Sequence, residues 1–68
     1  MTKPEYIYGI IDNKIVDFEV IKEIEFFYNC IYYFDNDWHN IGIPKKKIHK
    51  EYFLNYKRCE KKLKEMNK

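Results

Sequence analysis

Ile10-Ile11-Asp12-Asn13-Lys14-Ile15-Val16-Asp17-Phe18-Glu19-Val20, residues 10–20, decides the fold. Asp12 and Asn13 separate two runs of β-branched and aromatic residues, Tyr6 to Ile11 and the run from Ile15 onward. A two-residue hairpin loop needs positive φ at its central positions, and Asn and Asp accept that better than other non-glycine residues. Beyond the loop, Val16, Phe18 and Val20 alternate with Asp17 and Glu19, the period of two of a strand with one dry and one wet face. The reading is an antiparallel hairpin.

Working outward from it, Lys22 and Glu23 are expected to turn the chain into a third run, Ile24 to Phe34, whose Phe26, Tyr28, Cys30, Tyr32 and Phe34 share one face. Phe27, Ile31 and Tyr33 fall on the other. Large residues on both faces imply a cover over the second row or an interface there. Asp35, Asn36 and Asp37 then form a polar turn, and Trp38 with Ile41, Gly42, Ile43 and Pro44 reads as an edge strand, because Pro donates no ladder hydrogen bond. From Asn55, a good N-cap, the period changes: Tyr56, Cys59, Leu63 and Met66 form one apolar stripe at helical spacing. Such a short helix is marginal alone and must dock on the sheet. The expected fold is α+β, a single domain over residues 1–68, with strands over about 5–11, 15–22, 24–34 and 38–43 and a C-terminal helix over about 56–67. The sheet is expected to curl into a small barrel or to take the helix on its second row.

A chain of 68 residues buries roughly 60% of its unfolded surface, a thin margin for stability. Seven Tyr, five Phe and one Trp supply the compensating area. Two Cys build no dense disulfide framework, no apolar run is long enough to span a membrane, and Met1-Thr2-Lys3-Pro4-Glu5 does not start a secretory signal. A cytoplasmic protein with reduced thiols and no membrane association is expected.

Charge is divided along the chain: residues 1–44 carry three Lys against eight Asp or Glu, and residues 45–68 carry ten Lys or Arg against three Glu. The net +2 hides an acidic part and a basic part, a feature that speaks to partners rather than to fold.

Catalytic and cofactor chemistry find no support. His39, His49, Cys30 and Cys59 lack ligand spacing for zinc, and Lys46 stands where a calcium loop after Asp35 would need its bidentate Glu. Ser is absent, and Gly9 and Gly42 make no phosphate-cradling loop. No enzyme activity, metal or cofactor is expected.

Residues Asp12-Asn13-Lys14, Ile43-Pro44-Lys45 with Ile48, and Phe53-Leu54-Asn55 with Cys59 carry a resemblance. The chain resembles small uncharacterised proteins of phages and mobile elements of low-GC bacteria, over most of its length, and the absence of Ala, Ser and Gln fits AT-rich coding. The resemblance implies a small curved sheet with a helix, like an SH3-type curved sheet or barrel, and does not imply an active site. Two departures are Asn13 for the usual turn Gly, and Lys57 and Arg58 for acidic residues in the first helical turn.

The functional expectation is a stoichiometric inhibitor of a host defence protein, anti-CRISPR-like, with Phe27, Ile31, Tyr33 and Trp38 as aromatic and apolar anchors. Lys45, Lys46, Lys47, Lys57 and Arg58 would add charge. Two alternatives stay open: a nucleic-acid-binding surface in which Lys50 joins those cations among Tyr52, Phe53 and Tyr56, and sequestration of a nucleotide signal by an oligomer. A homodimer through the second sheet row is a further alternative.

Overall fold

The chain is described here by a computed structural model covering residues 3–67. Five strands, β1 (Tyr6–Ile11), β2 (Lys14–Glu23), β3 (Phe27–Phe34), β4 (Asp37–Pro44) and β5 (Tyr52–Phe53), form one antiparallel sheet in the order β4-β3-β2-β1-β5. A single 3₁₀ turn, Lys45–Lys47, follows β4, and α1 (Tyr56–Met66) ends the described chain. The α+β class and the curved antiparallel meander with its C-terminal helix are as the sequence implies. The sheet is open rather than a closed barrel.

Local chemistry explains the elements. Asp12 and Asn13 take φ of 50° and 65°, and Asp35 and Asn36 take 55° and 63°, so two similar tight turns join β1 to β2 and β3 to β4. Positive φ at both central residues matches the right-handed twist of the flanking strands. Asn55 caps α1 by accepting the Lys57 N–H on its Oδ1 at 2.8 Å.

Three expectations need correction. Lys22 and Glu23 do not turn the chain: they stay in β2, paired with Asn29 and Tyr28, because a bulge at Ile21 absorbs one residue and keeps the ladder running. The turn falls at Ile24–Phe26 instead, closed by the Ile24 N–H donating to the Phe27 carbonyl at 2.8 Å, so β3 begins at Phe27 and Phe26 lies outside it. The four expected strands are five, since Tyr52 and Phe53 pair with Gly9 and Tyr8.

Residues opposite one another in the ladder share a face. One face carries Ile7, Val16, Phe18, Val20, Cys30 and Ile43, all buried in one core, with Tyr32, Ile48 and Tyr52 packed against it. The Phe18 ring sits 4.7 Å from Tyr32 and 5.7 Å from Tyr52 between centroids. Phe53, opposite Tyr8, lies on the other face, where α1 docks. Cys59 is its one buried residue, and Tyr56 meets Tyr8 edge-on at 5.8 Å. α1 reaches β1, β2 and β5, which leaves β3 and β4 uncovered on that face.

Candidate functional site

The uncovered area is built by the β3–β4 ladder. Phe27 is opposite Pro44, Asn29 opposite Gly42, Ile31 opposite Asn40, and Tyr33 opposite Trp38. All eight point to the face where α1 docks, beyond its reach. Trp38 is 61% exposed, Tyr33 54% and Phe27 44%, while Ile31 is half-buried between them. The Tyr33 and Trp38 rings meet edge-on at 5.3 Å, so each holds the other in place near the turn. Glu19 neighbours Ile31 from β2. The site is a strip of rings and aliphatic carbon with an acidic flank.

Its lower end opens into a hollow of about 450 Å³ lined by Phe26, Phe27, Pro44, Lys45 and Lys46. Lys45 is committed there: its ammonium pairs with Glu23 and lies 5.2 Å from the centroid of the Tyr28 ring. Lys47 pairs with Glu51 at 3.5 Å. The expected cation cluster is thus divided, and Lys46 of the three keeps an exposed side chain with no ion pair among the described residues.

Lys50 and Arg58 lie elsewhere, in a cleft of about 500 Å³ between the chain entering β5 and α1, with His49, Lys61, Lys62 and Glu65. Lys57 is exposed on the first helical turn. The structure therefore brings Phe27, Ile31, Tyr33 and Trp38 together, gathers Lys50 with Arg58, and does not merge the two groups. Phe26 and Pro44 at the hollow and Lys61 and Lys62 in the cleft escaped the sequence reading, although 58, 61, 62 and 65 stand at helical spacing.

The remaining reactive groups are quiet. Burial pushes the Cys30 thiol up to about 11, partly offset by the charge of Lys3, and burial raises Cys59 as well, so neither is a ready nucleophile. Burial likewise raises Tyr52. His39 stacks on Tyr32 at 5.0 Å, its Nε2 3.0 Å from the Phe34 carbonyl oxygen, a structural role at the end of the core face. Among the described residues no three His, Cys, Asp or Glu come together as a metal-binding group, and no helix is long and apolar enough to cross a membrane.

No known protein family, curated protein or solved structure matches the chain.

Proposed function

We propose that the protein is a non-enzymatic binding protein whose working surface is the strip Phe27, Ile31, Tyr33 and Trp38. The observation that carries the reading is that these large side chains share one sheet face and α1 stops short of them. Burying Trp and Tyr rings against a partner contributes the most per residue at protein interfaces, and the pair is already held in one arrangement, which lowers the ordering cost. Glu19 beside the strip favours a partner with an apolar centre and a cationic rim. Stoichiometric inhibition of a host defence protein, anti-CRISPR-like, is the specific role suggested by the resemblance to phage and mobile-element proteins.

A second reading comes from the cleft, where Lys50, Arg58, Lys61 and Lys62 face one Glu65. That arrangement suits a phosphate backbone and would make nucleic acid the partner.

Affinity capture from a low-GC bacterial lysate, with and without nuclease, tests both. Trp38→Ala with Tyr33→Ala should release a stoichiometric protein partner that survives nuclease, while Arg58→Glu with Lys61→Glu retains it. Nucleic acid recovered with the wild type and lost with Arg58→Glu and Lys61→Glu would replace the first reading with the second.

A further inference from the structure

The two edges of the sheet are built differently. β5 is two residues long, and Lys50 and Glu51 precede it, the usual way of blunting an edge. β4 is eight residues long, carries Asp37 as its one charged residue, and meets Pro only at its last position. Nothing in β4 discourages another strand from pairing with it.

Its free backbone groups follow from the turn. A two-residue loop at Asp35 and Asn36 makes Phe34 and Asp37 a hydrogen-bonded pair, so Asp37, His39, Ile41 and Ile43 direct N–H and C=O toward β3. Trp38, Asn40 and Gly42 direct theirs to the open edge. Two bonds agree with this phase. The Lys45 N–H donates to the Phe26 carbonyl at 2.9 Å, on the β3 side, whereas the Trp38 N–H is taken by its neighbour's carboxylate, Asp37 Oδ1, at 2.8 Å.

We propose that β4 of one molecule pairs antiparallel with β4 of a second copy, with Asn40 opposite Asn40. That register engages Trp38, Asn40 and Gly42 of both strands. It also sets each Trp38 across from Gly42 of the other copy, a bulky ring against a position with no side chain. A Cβ at Gly42 would meet nothing nearer than Phe27 Cδ1 at 4.0 Å, so the indole has room over that backbone. The Trp38 N–H exchanges Asp37 for the Gly42 carbonyl of the second copy, and the freed carboxylate lies toward the end of the second strand, where Lys46 stands two positions beyond Pro44. Attraction between the acidic turn and the lysine run occurs twice by symmetry.

Other registers do less. Sliding one way by two residues brings Pro44, which has no N–H, to a bonding position, and sliding the other way removes Gly42 from pairing. A slip of one residue sets the outward-directed groups of Asn40 across from Ile41, whose groups already bond to β3, so the ladder is lost. In the chosen register both strips lie on one face of a joined sheet, with an α1 at each outer end. The pairing stands independently of the binding function proposed above.

Asn40→Cys tests the register directly. Opposed Cα atoms of a hydrogen-bonded pair are about 5.5 Å apart, within disulfide range, and the native Cys30 and Cys59 are buried. Sedimentation equilibrium should show a reversible dimer. Mild oxidation should cross-link Asn40→Cys and leave Asn29→Cys, exposed on β3, largely monomeric. Asn40→Lys, which opposes two ammonium groups, should weaken the dimer at least about tenfold by like-charge repulsion while leaving the circular dichroism unchanged. A monomeric mass at millimolar concentration, equal cross-linking of the two cysteine variants, or a dimer indifferent to Asn40→Lys would each overturn the proposal.

Discussion

Gly9 shows how one missing side chain sets the core. It lies in β1 between Val16 and Tyr52, and a Cβ there would stand 2.9 Å from both Phe18 Cε1 and Tyr52 Cδ1. The Phe18–Tyr52 contact that joins β2 to the β5 edge passes over this gap. Gly9→Ala should therefore lower unfolding free energy in urea by about 1 to 3 kcal/mol, the usual cost of overpacking a well-filled core. A loss below the error of the melt would show that the rings slide aside. Cys30 gives a pH signature at the same scale. Its folded thiol holds the proton up to about 11 against an ordinary 9.0, so the folded state is favoured by the neutral thiol. The associated stability is fully present below pH 9.0, and it declines as pH rises toward 11. Cys59 and Tyr52 act in the same direction, so Cys30→Ala should flatten the alkaline decline of the midpoint without abolishing it.

At the scale of elements, α1 depends on its ends. Asn55 accepts the Lys57 N–H, and no acidic residue occupies the first turn, where Lys57 and Arg58 oppose the helix dipole. Asn55→Ala should cost about 1 kcal/mol, a fall of about 4 to 8 °C in Tm for a domain of this size. Lys57→Glu should act oppositely, adding about 0.3 to 1 kcal/mol at low salt and less as salt rises. A Tm unchanged by Lys57→Glu at low ionic strength would remove the dipole argument. The same elements explain what the sequence reveals. Asp12-Asn13 and the alternation from Val16 to Val20 specify β1 and β2 because turn chemistry and period two are local signals. β5 escaped because two residues cannot show a period, and its pairing with Gly9 is a long-range event. The Ile21 bulge escaped because Ile24 to Phe34 reads as an unbroken run, while the chain needs Ile24–Phe26 for its turn. Phe27, Ile31 and Tyr33 were legible as one row by parity alone. The partnering of Lys45 with Glu23, 22 positions away, was not.

For the molecule as a whole, the sheet separates two bodies of unequal strength. Six buried residues from β1 to β4 form the core on one face. On the other face, Cys59 is the single buried residue of α1 and Phe53 is buried in β5, with Tyr56 leaning on Tyr8. A helix of 11 residues is marginal without docking, and its one buried side chain is among the smaller apolar ones. The helix should thus open before the sheet does, as a sub-global event. Native-state hydrogen exchange should find amides of Cys59 to Leu63 exchanging through an opening of lower free energy than those of Val20 and Cys30 in the central strands. Cys59→Ser, which places a hydroxyl under the helix, should speed helix exchange several-fold more than it speeds exchange in β2 and β3. Equal acceleration everywhere would mean that sheet and helix unfold as one unit, and that the Phe53 side contributes as much to cooperativity as the larger core. The predicted order matters for the exposed strip, since Phe27, Ile31, Tyr33 and Trp38 stand on the sheet and not on the helix that should open first. A binding surface that outlasts the opening of the helix is presented already formed, and its partner need not supply the free energy to order it.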